Sequence, residues 1–205
     1  TIAGVAACGS SRAAPPVAAS TIAPVPATAT DTTRVRRGYA AADVRFMHHM
    51  LMHHGQALVM TAMVPTRSAR DDIKRVAERI TVSQRDEMAL MQRWLRARGE
   101  AVPADMDHAH HAGMRGMTGD AAHAMPMPGM LTPAELARLE ASSGAPFDSL
   151  FLAGMIRHHE GALTMVRDYL ATPGAAQESE IFRFASDVDA DQRAELRRLR
   201  GLMTP

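Results

Sequence analysis

Two stretches of the chain carry residue types that could hold a soft metal ion. The first is DVRFMHHMLMHHGQALVM, residues 43–60, and the second is DSLFLAGMIRHHEGALTM, residues 148–165. They align without a gap: Asp43 with Asp148, Phe46 with Phe151, Met50 with Met155, His53-His54 with His158-His159, and Met60 with Met165. Thioether and imidazole are the ligands that Cu(I) and Ag(I) favour, whereas Mg and Ca take oxygen. An open imidazole site would also take Cu(II), and zinc through the imidazoles alone. Copper, with Cu(I) first, is therefore the expected ion, and Cu(II), Ag(I) and Zn are the alternatives.

The spacing sets these residues on helices. Phe46, Met50, His53, Ala57 and Met60 step by four, three, four and three, the inward stripe of an amphipathic helix, and Phe151, Met155, His158, Ala162 and Met165 repeat it. One histidine of each pair falls on the stripe and the other about 100° round, at its edge. Met50 and Met155 precede the pairs by three and four residues, so each thioether lies on the same helical face. A lone stripe histidine is usually a hydrogen-bonded core residue. Two adjacent pairs, each preceded by Met at one spacing, point to ligation by Met50, His53, His54, Met155, His158 and His159. Met60, Met88, Met91 and Met165 read as core filler. Met47, His48 and His49 lack counterpart ligands, since Leu152, Ala153 and Gly154 occupy those places; they add a peripheral site or face solvent. Glu160 is a candidate to orient a histidine, although Gly55 replaces it in the first copy.

Each motif helix is followed by a second amphipathic helix. The stripe Ile73, Val76-Ala77, Ile80, Gln84, Met88, Met91, Leu95 reappears as Ile181, Phe184-Ala185, Val188, Gln192, Leu196, Leu199, Met203, with Glu87 answered by Glu195. The rest of these helices is charged and reads as solvated surface. The expected helices run from 39–43 to Met63, ended by Pro65; from Ser68 to Arg98, with Gly99 as the stop; from Pro146 to Leu170; and from Ala175 to Leu202. Thr132-Pro133-Ala134-Glu135 is a capping box that opens a short helix to Ala141. A duplicated hairpin with one long connection makes an all-α four-helix bundle over residues 39–203, with hairpins at 39–100 and 132–203.

The connection, residues 101–131, has no helical or strand period. It holds Met106, His108, His110, His111, Met114, Met117, His123, Met125, Met127 and Met130 among Gly, Pro and Ala, a composition that points to a second, multivalent metal site. Ligands held on helices should bind more tightly than loop ligands that the metal must order. The helical imidazoles should weaken as pH falls through about 6.5, where an ordinary imidazole protonates. Four apolar stripes should fold without metal.

Before the bundle stand a remnant of a signal sequence (1–8) and an Ala/Pro/Ser/Thr tether (9–38). Val5-Ala6-Ala7-Cys8, followed by Gly9 and Ser10, resembles a bacterial lipobox, in which Cys8, the only cysteine, would be lipidated and anchor the protein to a membrane. A tether of that length spans about 30–35 Å. With 16 Met, 10 His, 23 basic and 22 acidic residues, the chain has no basic footprint for nucleic acid. It has neither a nucleophile–base set nor a phosphate loop. No Glu-x-x-His pair of the di-iron kind occurs, so an enzyme is not expected.

The motif Phe-x3-Met-x2-His-His-x2-Ala-x2-Met, followed by a helix with Gln and Glu, resembles the domain-of-unknown-function 305 family over residues 39–203. The resemblance implies a ferritin-like four-helix bundle in a secreted or lipid-anchored bacterial envelope protein. It also implies an association with copper binding and tolerance, as a buffer or chaperone, that falls on the two Met/His-His sets. A copper-handling envelope protein is then an expected partner. The alternative is an interaction module of the envelope, free of metal, with structural histidines.

Overall fold

The computed structural model describes residues 38–103 and 127–203, with Thr1. Cys8, the tether, and the loop residues Met106, His108, His110, His111, Met114, Met117, His123 and Met125 lie outside the described residues. Five helices are described: α1 Ala41–Arg67, α2 Asp71–Ala97, α3 Pro133–Glu140, α4 Gly144–Leu170 and α5 Ser179–Gly201. The four long ones form the expected bundle from two hairpins, α1–α2 and α4–α5. None is long and apolar enough to cross a membrane.

Four boundaries differ from expectation, each for a local reason. α1 continues through Pro65 to Arg67. Pro65 sits in the last turn, so its missing N–H removes a single bond, and Ser68 N–H closes the turn on Val64 O at 3.0 Å. Ser68 is therefore a cap and not the start of α2; its hydroxyl accepts from Arg70 N–H at 3.2 Å, and α2 opens on Asp71 and Asp72, acids that suit a helix N-terminus. α4 begins two residues before Pro146, which falls where the helix has no use for an N–H. α5 begins at Ser179 because residues 171–178 form a turn with Gly174 and Ala176 at φ 78° and 54°. That turn is held from α1, where Asp43 Oδ1 accepts the Ala176 N–H at 2.9 Å and the Tyr169 hydroxyl at 2.6 Å. Met203, expected at the end of the α5 stripe, is exposed.

The capping box forms as read. Thr132 Oγ1 accepts from Glu135 N–H at 3.2 Å and Glu135 Oε2 accepts from Thr132 N–H at 2.8 Å. Glu135 also takes Arg157 of α4 at 2.7 Å. The Arg157 guanidinium and the Thr132 backbone together hold its carboxyl down to about 2.

α1 and α4 pack antiparallel. Phe46, early in α1, stacks on Tyr169 at the end of α4 with ring centroids 4.0 Å apart, and the Met60 methyl reaches Gly154 near the other end. The apolar core is divided in two. One cluster includes Phe46, Met47, Met50, Met91, Trp94, Tyr169 and Phe184; the other includes Met60, Ile73, Ile80, Phe147, Phe151, Met155 and Leu199. Every long helix contributes to both. Where each passes from one cluster to the other it carries buried polar residues: His53-His54 on α1, Gln84 and Glu87 on α2, His158-His159 on α4, Gln192 and Glu195 on α5.

Candidate metal centre in the polar layer

All four motif histidines have no exposed surface. The expected split between one buried and one edge histidine is corrected: α2 and α5 close over the edge positions. His54 Nε2 is bonded to Glu87 Oε2, and His159 Nε2 to Glu195 Oε2 at 2.6 Å. Glu87 and Glu195 are thus part of the layer, not of a solvated face. Their signal was the constant offset that pairs Gln84-x-x-Glu87 with Gln192-x-x-Glu195. Among the described residues Glu160 orients no histidine; it is exposed and takes Arg200 at 2.6 Å.

The inner histidines, His53 and His158, meet across the α1–α4 contact, with ring centroids 3.8 Å apart and planes tilted by 38°. Burial holds His53 down to about 3, helped by the charge its neighbour His54 can carry and opposed by its bond to the Pro128 backbone. Burial likewise puts His158 well below the ordinary imidazole range, with His53, His159 and His54 adding to it and the His53 backbone working weakly against it. Both are neutral imidazoles over the whole physiological range. At these two rings protons compete for the lone pairs only well below the pH of about 6.5 expected of an ordinary imidazole.

The hydrogen bonds define which nitrogens are free. A carbonyl only accepts, so His53 Nε2 donates to Pro128 O at 3.0 Å and its Nδ1, buried and without a partner, presents a lone pair. His54 is engaged at Nε2 and unpartnered at Nδ1; His158 closes no hydrogen bond at either nitrogen, the His53 backbone lying near its ring without making one. His159 differs. Its Nδ1 donates to Met155 O at 2.9 Å while Nε2 faces Glu195, so neither nitrogen is free. Gln84 and Glu87 Oε1 add further buried oxygens without partners. Buried polar atoms are almost always satisfied, so these nitrogens and oxygens are the groups in the layer that a bound ion could engage.

The residues present fit a soft or borderline cation. Three imidazoles have free nitrogens, and two of them have the opposite nitrogen fixed by a carbonyl or carboxylate, the arrangement that orients metal-binding histidines. Among the described residues no three His, Cys, Asp or Glu side chains already surround a common point; the inner rings lie against each other instead. Met50 and Met155 are fully buried, one in each apolar cluster, directly flanking the layer. Met47 is corrected from a peripheral ligand to a core residue with 1% exposure. His48 is half-buried and bonded to Ala101 O at 2.6 Å; His49 is exposed, with its basicity lowered by partial burial and by His48 and Arg45. These three do not form one site.

The far end of the Met/His-rich connection is fastened over the layer. Gln56 accepts Leu131 N–H at 2.7 Å and donates to Leu131 O at 2.9 Å, and Pro128 O takes His53. A Cβ on Gly161 would stand 1.9 Å from Pro128 O, and one on Gly129 2.3 Å from Arg157 O. Two glycines therefore let the strap lie backbone to backbone on α4. Met127 and Met130, both half-buried, flank it.

A four-helix bundle with a histidine–carboxylate layer through its middle, built twice over by one chain, defines the class. The family model described as Domain of unknown function (DUF305) matches residues 43–203, and the chain belongs to that family. A DUF305 fragment from Deinococcus radiodurans is 31% identical, with 80% of this chain and 96% of that one covered and a TM-score of 0.63. A DUF305 protein from Streptomyces coelicolor is 27% identical, with 79% and 91% covered and a TM-score of 0.62. CopM in its Cu(I)-bound form is 22% identical, with 78% and 94% covered and a TM-score of 0.56, and is also known in Cu(II)- and Ag-bound forms. No curated protein compared with the chain matches it.

Proposed function

We propose that the chain is a copper-binding protein whose principal site is the buried imidazole layer, with Cu(I) as the favoured ion. The observation that carries this is the set of free, buried imidazole nitrogens on His53, His54 and His158. A neutral nitrogen base in an apolar surround, with no proton to displace, suits a soft cation. Met50 and Met155 stand beside the layer as thioethers. CopM, which shares the fold, has structures in Cu(I)-, Cu(II)- and Ag-bound forms, and this supports the choice of ion. The Met/His-rich connection adds weaker capacity, and its fastened end delivers ions to the layer beneath. The protein is a buffer or chaperone, not an enzyme. It works outside the cytoplasm, held to the membrane by a lipid on Cys8, and exchanges copper with an envelope protein of the same trade.

The test is Cu(I) competition titration of wild type, His53→Asn/His158→Asn, Glu87→Gln and Glu195→Gln. The double variant should lose the tightest component. Glu87→Gln should weaken it roughly 10- to 100-fold, the usual effect of removing a carboxylate that orients a ligating histidine. Glu195→Gln should leave it within a few-fold, because His159 offers no free nitrogen. Full affinity in the double variant would move the copper function out of the bundle.

A further inference from the structure

The strap is thin where it crosses the layer. Pro128 is exposed, yet its carbonyl accepts from Nε2 of His53, a ring with no exposed surface. At that point one residue of irregular chain separates the inner histidine from water. The strap is also fastened in few places. Met130 N–H closes its turn on Met127 O at 3.2 Å, and the Leu131 side chain lies against Gly154 of α4. Beyond the His53 bond, the amide of Gln56 holds both the N–H and the carbonyl of Leu131. Lifting the strap breaks those bonds and unwinds no helix. An element with so few ties opens at a fraction of the cost of global unfolding.

We propose that residues 127–131 are a latched lid over the imidazole layer, with Gln56 as the latch and His53 as the coupling between lid and ligand. The lid rests on the copper reading for its cargo; its opening does not. With the lid seated, the Pro128 carbonyl takes the Nε2 proton of His53 and fixes the tautomer that leaves Nδ1 free for a metal. With the lid lifted, Nε2 loses that acceptor, the ring is held in neither tautomer nor orientation, and water reaches the layer. Ion binding and lid closure then favour each other by the same factor, because linkage is reciprocal. A filled site closes its own lid, and opening sets the rate of both loading and release. Met127 and Met130, half-buried on either side of Pro128-Gly129, place thioethers at the edge of the opening, which suits a soft ion in transit.

Exchange of the Leu131 amide proton with solvent, followed by NMR, reads the lid without any metal, because Gln56 Oε1 accepts that proton. Stopped-flow uptake of one equivalent of Cu(I) by the full chain, and its release to an excess of chelator, read the lid with its cargo. Gln56→Ala removes the latch from α1, Gly161→Ala lifts the strap from α4, and both leave the imidazoles in place; circular dichroism reports that each folds. In these variants Leu131 exchange, Cu(I) uptake and Cu(I) release should all rise about 10- to 100-fold, the effect of losing one or two buried hydrogen bonds. Release should rise more than uptake. Wild type gives the reciprocal without any substitution: one equivalent of Cu(I) should slow Leu131 exchange about 10-fold or more. Cu(I) rates that stay at the wild-type value while Leu131 exchange speeds up overturn the lid, and so does wild-type Leu131 exchange that Cu(I) leaves unchanged. The copper centre fails by a different sign, full tight Cu(I) affinity in His53→Asn/His158→Asn, and the lid then has no cargo and falls with it.

Discussion

The two halves of the chain began as one pattern, and what separates them is the strap. Gln56 and Gly161 occupy the same position of the repeat. Gln56 grips Leu131 with both ends of its amide, whereas Gly161 vanishes to let Pro128 and Gly129 pass. One hairpin holds the crossing segment and the other makes room for it. The same division appears in the histidines. His53 gives its Nε2 to the strap, and its counterpart His158 keeps both nitrogens free; His54 keeps Nδ1 free, and its counterpart His159 spends it on Met155 O. A symmetric duplication would have placed four equivalent imidazoles about an axis. Here three keep a free nitrogen, and the fourth, His159, is held at both by Met155 O and Glu195. The lesson is that a repeat fixes which residues meet, while the partners particular to each copy, the strap on His53 among them, decide what each is free to do.

The largest effect should come from acid, where the halves should behave alike. His53 and His158 are neutral when folded and bind protons when unfolded. Their depressed folded values mean that the stability they contribute is complete above about 6.5, and that it drains away as pH falls toward the folded value, about 3 for His53. The slope for each is roughly 1.4 kcal/mol per pH unit once the unfolded imidazole is protonated. Urea unfolding of the chelated protein at pH 7.0 and 5.0 should therefore show a loss of several kcal/mol, and His158→Asn should remove about half of the pH dependence. A profile as flat in wild type as in the variant would mean that the layer opens to water and lets both rings charge.

Gly161→Ala attacks the asymmetry itself. Its methyl would occupy the Pro128 carbonyl, so the strap must lift, and the His53–Pro128 and Gln56–Leu131 bonds go with it. We expect a loss of about 2–4 kcal/mol by thermal or urea unfolding, in the range of overpacking combined with broken buried hydrogen bonds. The change should also free His53 Nε2, so that its imidazole proton exchanges faster with solvent by NMR. Equal stability of Gly161→Ala and wild type would show that the strap is not seated on α4.

Much of this was legible in the sequence, and the exceptions have causes. The stripe spacing gave the long helices and the hairpin repeat, because a 3.6-residue period with apolar residues leaves little choice. The motif histidines were visible as a pair of pairs. What could not be read was their depth: a residue 100° from the stripe is buried or exposed according to how closely the next helix packs, and that depends on α2 and α5. Glu87 and Glu195 looked like surface for the same reason. Their chemistry exists only once an imidazole 33 or 36 residues away comes opposite. Met47 misled in the other direction, since its neighbours His48 and His49 suggested a cluster that helical geometry splits between core and solvent. The seating of Pro128 on Gly161 was invisible, because a glycine in a helix announces nothing about the backbone that will lie against it.

The smallest effect tests the halves at their entrances, where Asp43 and Asp148 are equivalent by alignment and unlike in company. Asp43 has no exposed surface and receives Ala40 N–H at 2.7 Å, the Tyr169 hydroxyl at 2.6 Å and Ala176 N–H at 2.9 Å. It ties the start of α1 to the end of α4 and to the turn before α5, and with burial it raises the Tyr169 phenol above its ordinary range. Asp148 is 6% exposed and its Oδ1 has no partner; Arg70 lies only within charge range. Replacing Asp43 by Asn removes the charge that three donors share and turns an N–H₂ toward at least one of them, which should cost about 1–3 kcal/mol. Asp148→Asn relieves a buried charge with an unmet acceptor and should fall within about 0.5 kcal/mol of wild type. Differential scanning calorimetry of the two variants side by side decides it. Equal losses would show that Asp148 has found a partner of its own, and that at the helix entrances the duplication is still symmetric.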